Sequence, residues 1–252
     1  MTNQKIWTAA LIVIGDEILS GRTQDKNIAQ IAKWLNVQGI RLNEVRVIAD
    51  DMDAIAEAVN ILRARNDYLF TTGGIGPTHD DITVDAISRA LEVDVVIHPT
   101  ARAILERYYA DKGGVNEGRL RMARVPDGAE LIENKMSGAP GIKVDNIFLM
   151  AGVPHITAGM LDGLTGSLEG GAPLLSVTLG AWAPESEIAD ILSAAEKAHK
   201  GCQIGSYPFF RDGTVGANFV VRSTDAKTLE TCRIALKSGL EAAGYDVTDG
   251  EI

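Results

Sequence analysis

The segment Tyr68–Asp81, with the sequence YLFTTGGIGPTHDD, sets the pattern on which the larger part of this chain is built. It begins as an apolar run, passes through three glycines and a proline, and ends in two aspartates that precede an amphipathic stretch. We interpret it as a strand, a tight glycine loop and the start of a helix. Because such a loop presents backbone N–H groups beside a helix N-terminus, it suits a bound phosphate.

Strands and helices alternate on the N-terminal side of this segment. The run Trp7–Ile14 is almost continuously apolar, which is typical of a strand buried on both faces. Apolar residues at helical spacing follow at 28–35, a strand is predicted at 42–48, and a second helix is predicted at 55–62. The order β-α-β-α-β predicts a mostly parallel sheet with helices on both faces.

The C-terminal side of the segment continues in the same way. Apolar residues at helical spacing predict helices at Val84–Leu91 and Ala101–Tyr108, and Thr100 is the candidate N-cap of the second helix. Residues 142–150 predict a hairpin, and a further helix is expected after Pro154.

A stretch rich in glycine, serine and proline divides the chain. Residues 165–173 (TGSLEGGAP) show no periodicity, and we take 166–173 as a linker. It separates a first domain, residues 1–165, from a second domain, residues 174–252. The order β-α-β-β-α-β predicted for the second domain is that of the ferredoxin-like unit.

Composition limits the class of protein. The chain has 252 residues and a net charge of −10, whereas a protein that binds duplex nucleic acid usually carries a basic face. Cys202 and Cys232 have no partner at metal-binding spacing, so we expect two free thiols in or near a core. The start of the chain, Met1–Ile14, shows no signal-peptide pattern, and no apolar stretch approaches the roughly 20 residues of a membrane span. We therefore expect a cytoplasmic protein that binds neither nucleic acid nor membranes.

The glycine loop Gly73–Pro77 differs from the common nucleotide-binding loops. It lacks the Gly-Lys-[Ser/Thr] ending of a Walker A motif and the third glycine of the dinucleotide-binding fingerprint. Three glycines still allow positive φ and a close approach to the backbone. Such a loop could bind a ligand, or it could be a tight turn without a ligand. Thr78 and Asp81 likewise fit either a helix capping box or part of a ligand site.

Six carboxylates follow the first three predicted strands: Asp16, Glu17, Asp50, Asp51, Asp80 and Asp81. The carboxyl ends of parallel strands meet at one crevice, so these side chains are expected along one rim. Because carboxylate oxygens beside a phosphate suit a hard cation, this group of acids is suited to coordinate a divalent metal of the Mg²⁺ type. The alternative is that these acids are ordinary solvated loop residues.

Four motifs occur in a fixed order, namely GDEILSG (15–21), TGGIGPTHDD (72–81), SGAPG (137–141) and GVP (152–154). In order and spacing they resemble the molybdopterin-binding (Mog/MoaB-like) domain, and among its branches the competence/damage-inducible protein A (CinA) family. The resemblance covers residues 6–165, and Ile204–Pro208 resembles the segment that follows in that family. It implies a three-layer α/β/α fold that binds molybdopterin or nucleotide phosphates. The deamidase domain of longer family members is not expected here.

The resemblance also implies roles for individual residues. By motif position, two aspartates essential in molybdopterin adenylyltransferases match Asp50 and Asp81, which we take as catalytic. We expect the same two residues, with help from Asp16, to hold a divalent metal such as Mg²⁺, Mn²⁺ or Co²⁺. One departure is the sequence Ala151–His155 (AGVPH), which lacks a proline and an acid that the family often has there. The ligand phosphate is expected at residues of the first three motifs: Gly15, Thr72, Gly73, Gly74, Gly76, Pro77, Thr78, Ser137 and Gly138.

The activity implied for the CinA branch is metal-dependent hydrolysis of a dinucleotide pyrophosphate such as ADP-ribose or FAD. We therefore expect a small-molecule phosphate ligand, with molybdopterin as a further candidate. Two alternatives stay open, a molybdopterin carrier without catalysis and adenylyl transfer in molybdenum-cofactor biosynthesis. The resemblance also implies a homo-oligomer.

Overall fold

The computed structural model describes residues 5–252, and the chain divides into two compact units, one ending at Gly171 and the other beginning at Ala172. This boundary lies inside the segment predicted as a linker. The first part of that segment contacts the first unit, because Tyr68 Oη donates to Glu169 O (2.9 Å) and Gly171 N donates to Gly39 O (3.1 Å). The predictions for residues 1–4, as the start of a domain without a signal peptide, lie outside the described residues.

The first unit contains eight strands and seven α-helices within residues 5–171. In chain order they are β1 (Trp7–Ile14), α1 (Asp16–Leu19), α2 (Asn27–Val37), β2 (Ile40–Ile48), α3 (Met52–Arg63), β3 (Tyr68–Thr72), α4 (Thr83–Leu91), β4 (Val95–Ile97), α5 (Pro99–Tyr109), α6 (Glu117–Arg121), β5 (Arg124–Pro126), β6 (Glu130–Ile132), β7 (Gly141–Val144), β8 (Ile147–Met150) and α7 (Pro154–Leu164).

The main sheet of this unit has six strands in the order β2-β1-β3-β8-β7-β6. The first four strands are mutually parallel, and β7 and β6 add an antiparallel edge. Strands β4 and β5 form a separate antiparallel ribbon. The predicted, mostly parallel sheet is therefore confirmed, and its parallel strands carry their carboxyl ends to one edge.

Helices cover both faces of the sheet, which gives the three layers. Alternate side chains of β1 point to opposite faces. Ala10, Ile12 and Ile14 belong to the core formed with α3 and α4, whereas Leu11 and Val13 belong to the core formed with α2 and α7. All five are at most 3% exposed, which explains why each of these positions is apolar.

Helix α4 begins four residues later than the capping-box interpretation of Thr78 and Asp81 requires. It begins at Thr83, whose N–H donates to Gly74 O (3.0 Å) and whose hydroxyl donates to Gly73 O (2.9 Å). The prediction that the glycine loop leads directly into a helix N-terminus facing a phosphate is therefore wrong. The first helical N–H group of α4 donates to the glycine loop and is therefore not available to a ligand.

Helix α5 also begins at a different residue from the predicted one. Its N-cap is His98, whose Nδ1 accepts from the N–H of Ala101 (3.4 Å), and not Thr100. Pro99 is the first helical residue, where its missing N–H costs nothing and its fixed φ suits the helix.

The second unit has the predicted β-α-β-β-α-β order. Its antiparallel sheet has the strand order β10-β11-β9-β12, as in the ferredoxin-like unit. Cys202 and Cys232 are free and buried in its core, as predicted, and burial raises the pKa of the Cys232 thiol to about 12. The elements are β9 (Leu175–Ala181), α8 (Glu185–Ala198), β10 (Gln203–Arg211), β11 (Thr214–Ser223), α9 (Ala226–Ala242) and β12 (Val247–Asp249).

A membrane-spanning helix would need a long, weakly charged apolar stretch. None of the helices within residues 5–252 has that combination of length and hydropathy.

Candidate functional site

A cavity of about 740 Å³ lies at the carboxyl ends of the parallel strands in the first unit. Loops that follow β1, β2, β3 and β8 form part of its wall, which is where open α/β sheets place ligands. Further parts of the wall come from α1, α5, α6, α7 and the segment before β7. The lining residues used below are Gly15, Glu17, Asp50, Gly73, Gly74, Ile75, Gly76, Pro77, Asp80, Asp81, Tyr109, Arg119, Met122, Ser137, Pro140, Val153 and Met160.

The glycine loop is held in a conformation that only glycine adopts easily. Gly73 and Gly74 have φ of 98° and 67°. A Cβ on Gly73 would lie 2.2 Å from Ile14 O, and a Cβ on Gly74 would lie 2.1 Å from Thr83 Oγ1. The loop therefore packs tightly against the end of β1 on one side and the start of α4 on the other.

Three backbone N–H groups in this loop have no hydrogen-bond partner among residues 5–252. Gly73 N donates to Met150 O (3.2 Å), which joins the loop to β8. The N–H groups of Gly74, Ile75 and Gly76 have no hydrogen-bond acceptor in the described part of the chain. Because all three residues line the cavity, these donors are suitable for phosphate oxygens.

The Asp50 carboxylate connects the ends of β1 and β2. Its Oδ2 accepts from the N–H of Asp16 (3.0 Å). Burial raises the pKa of Asp50; the Asp16 hydrogen bond acts against this, and the negative charges of Asp16, Glu17 and Asp80 add to it. Asp50 is thus a more basic carboxylate than an isolated aspartate, and its electrostatic neighbours come from the loops after β1 and β3.

The Asp81 carboxylate accepts hydrogen bonds within the turn that precedes α4. Its Oδ2 accepts from the N–H of Thr78 (2.7 Å) and from the Thr78 hydroxyl (2.5 Å). A Cβ on Gly76 would lie 2.7 Å from the same Oδ2, so the carboxylate packs directly against the glycine loop. In contrast, His79 is 99% exposed and lies in solvent.

The carboxylates do not form a metal site by themselves. Within residues 5–252, no three His, Cys, Asp or Glu side chains lie close enough together to hold an ion. Asp50 and Asp81 line the cavity, but Asp16 does not. Asp81 accepts from Thr78, and Asp16 donates its backbone N–H to Asp50. The ligand set Asp16, Asp50 and Asp81 stays a prediction.

Asp51 has a structural role, unlike its neighbour Asp50. It is the N-cap of α3, and its Oδ1 accepts from the N–H of Ala54 (2.8 Å). Asp51 does not line the cavity.

We expect Asp51→Ala to lower the free energy of unfolding by about 1 kcal/mol, because the first turn of α3 loses its cap. Urea denaturation measures this change. Asp51→Asn is the matched control, since asparagine caps equally well, and equal losses in the two variants would contradict the capping role.

The sequence-predicted phosphate residues fall into two groups. Three of them, Thr72, Thr78 and Gly138, do not line the cavity. Thr72 is 1% exposed, Thr78 donates to Asp81, and Gly138 packs on the ring of Tyr108. The lining residues among those predicted are Gly15, Gly73, Gly74, Gly76, Pro77 and Ser137, together with Asp50 and Asp81.

Sequence reasoning missed the wall contributed by α5 and α6, which contains Tyr109, Arg119 and Met122. The sequence RLRMAR (119–124) was a visible signal, because three arginines stand out in an acidic chain. The segment did not show which of the arginines faces the cavity, because α6 and β5 are too short to give a recognisable periodic pattern. It also gave no sign that Asn27, 3% exposed, donates to Gly152 O (2.7 Å) and fixes the loop after β8.

Comparison with known proteins identifies relatives of both units. Residues 10–169 match the family described as "Probable molybdopterin binding domain", and residues 173–248 match the family described as "FAD synthase, middle domain". A protein from Aeropyrum pernix is 34% identical, over 92% of this chain and 91% of its own length.

Two further relatives carry the name CinA. A CinA-like protein from Desulfosudis oleivorans is 35% identical over 78% of this chain, and the match spans 51%, about half, of that relative. The crystal structure of the protein CinA with unknown function from Thermoplasma acidophilum has a TM-score of 0.60 and 30% identity. The match covers 64% of this chain and 99% of the Thermoplasma acidophilum chain.

Proposed function

The chain belongs to the family of the probable molybdopterin binding domain, in its CinA-like branch, and we propose that its cavity binds and hydrolyses a dinucleotide pyrophosphate of the ADP-ribose or FAD class. The observation that carries this proposal is the set of three unpartnered N–H groups in the loop Gly74–Gly76, beside the carboxylate of Asp50. The match of the second unit to the FAD synthase middle domain supports a nucleotide ligand.

The proposed binding step uses the backbone. The three N–H groups of the loop donate to oxygens of one phosphate, and their rigid placement means that little order has to be gained when the ligand binds. The apolar part of the wall, with Met122, Pro140, Val153 and Met160, covers the less polar part of the ligand.

The proposed chemical step is attack of a water oxygen on one phosphorus atom. The bond from that phosphorus to the bridging oxygen breaks, and Asp50 accepts the proton that the water loses. The pKa of Asp50, raised by burial, suits a proton acceptor better than that of an ordinary aspartate. Asp81 holds the turn after the glycine loop and so keeps the N–H donors in position. The products are two phosphate monoesters, for example AMP and ribose phosphate from ADP-ribose.

The assay for this function is incubation of the full chain with ADP-ribose or FAD, followed by chromatography of the products. We expect AMP from both substrates, and the reactions are run with Mg²⁺, Mn²⁺ or Co²⁺ and with EDTA to test for a metal requirement. The Asp50→Asn/Asp81→Asn double variant is the inactive control. Absence of AMP under every one of these conditions, or equal rates in the double variant, would refute the hydrolytic function.

A second candidate is binding of molybdopterin without catalysis. It is favoured by the match of residues 10–169 to the family described as "Probable molybdopterin binding domain". Calorimetry combined with chromatography separates the two candidates: a carrier binds its ligand and forms no product, whether a divalent metal or EDTA is present.

A further inference from the structure

The charges around the cavity raise a problem for any phosphate ligand. Four carboxylates line it, from Glu17, Asp50, Asp80 and Asp81. A phosphate group beside them is repelled unless positive charge compensates for it. The described carboxylates do not form a group of three that could hold a cation. A lysine or arginine side chain at the cavity is the other possible source of positive charge.

Arg119 is the one lysine or arginine among the lining residues that the structure describes. It lies on α6, and its Nη1 donates to Lys112 O (2.8 Å) and to Gly114 O. Its guanidinium lies over the ring of Tyr109, with Cζ 4.1 Å from the ring centroid. The side chain is thus held in place before any ligand binds.

Arg119 carries a positive charge that no acidic side chain of residues 5–252 pairs with. Among the ion pairs found within residues 5–252, none includes Arg119. In the same part of the chain, only Nη1 has a hydrogen-bond acceptor, which leaves the donors of Nε and Nη2. Arginine donors of this kind form strong, charge-assisted bonds to phosphate oxygens.

Helix α6 lies against the end of the glycine loop. A Cβ on Gly118, the residue before Arg119, would lie 3.3 Å from Pro77 O. Arg121 Nη2 donates to Asp81 O (3.5 Å), so a second contact joins α6 to the turn after the loop. Arg119 is therefore carried on an element that touches the proposed phosphate-binding loop.

We propose that Arg119 is a phosphate-binding residue that compensates the charge of a diphosphate ligand, so that the ligand binds without a divalent cation. This inference rests on the proposed function and specifies how that site recognises its ligand. The backbone N–H groups of the glycine loop bind one phosphate, and Arg119 binds the diphosphate from the wall formed by α5 and α6. Tyr109 positions the guanidinium by stacking on it.

The test is calorimetric titration of the full chain with ADP-ribose in EDTA, with adenosine as a ligand that lacks phosphate. We expect the wild type to bind ADP-ribose in EDTA, less tightly as salt is added. Arg119→Gln should weaken ADP-ribose binding about 10- to 100-fold, the usual effect of losing hydrogen bonds to a charged group, and leave adenosine binding unchanged. Arg119→Lys, which keeps the charge but loses the planar fork, should show a smaller loss.

Arg107→Gln is the matched control, because it removes one positive charge from an exposed position on α5 outside the cavity. Thermal unfolding without ligand establishes that each variant is folded, and Arg119→Lys carries the test if Arg119→Gln is not. The inference is overturned if the wild type binds ADP-ribose only with a divalent ion. It is also overturned if both Arg119 variants bind ADP-ribose as the wild type does, or if adenosine binding falls equally. Failure of the wild type to bind ADP-ribose under any condition would instead refute the proposed function.

Discussion

Replacement of Gly73 by alanine is expected to destabilise the first unit by about 2 to 5 kcal/mol. An L-residue in the left-handed region costs about 1 to 2 kcal/mol, and Gly73 has φ of 98°. The added Cβ would also lie 2.2 Å from the carbonyl oxygen of Ile14, which is backbone at the end of a central strand. Displacing such an atom adds about 1 to 3 kcal/mol, typical of overpacking. Urea denaturation followed by circular dichroism measures the loss.

Gly128→Ala is the control for this experiment. Gly128 also has positive φ, 80°, but a Cβ there would meet no atom within 4 Å. It should therefore show only the backbone strain, about 1 to 2 kcal/mol. If the two alanine variants were equally stable, the close approach of the glycine loop to β1 would not be the reason for glycine at position 73.

Replacement of Asp50 by asparagine is expected to lower kcat/KM for ADP-ribose hydrolysis about 100-fold or more, the usual effect of losing a general base. Asparagine has the same shape, and its amide oxygen can still accept from the N–H of Asp16. The proton-accepting function is lost while the contact is kept. Asp51→Asn removes the same charge one residue away, and its rate should equal that of the wild type.

The same variant should be more stable than the wild type at neutral pH. Because burial raises the pKa of Asp50 in the folded state, the folded protein binds this proton more tightly than the unfolded chain. The resulting stabilisation is fully present below the unfolded pKa, which is near 3.8, and is lost as the pH rises through the folded value. Asparagine has no such loss, so the advantage of Asp50→Asn should be present at pH 7 and vanish at about pH 3. An advantage that is the same at both pH values would contradict this account.

The sequence by itself determined the layered fold, because the cause of each element lies within the element. Residues 9–14 are all apolar since both faces of β1 are covered, and this pattern can be read without knowing what covers them. The position of the glycine loop was equally readable, because φ values such as those of Gly73 and Gly74 strongly favour one residue type. Asp50 was placed at the cavity because the carboxyl ends of parallel strands meet.

Only the tertiary structure decided which of two adjacent acids faces the cavity and where α4 begins. Asp50 and Asp51 are the same residue type, and a hydrogen bond to Ala54 N makes the second of them a helix cap. Thr83 starts α4 because its side chain and N–H satisfy the carbonyls of Gly73 and Gly74. The place of Arg119 depends on packing of α6 against Pro77, 42 residues earlier in the chain. Such contacts between distant residues leave no periodic signal in a sequence, because they depend on how the elements pack and not on the pattern within any one of them.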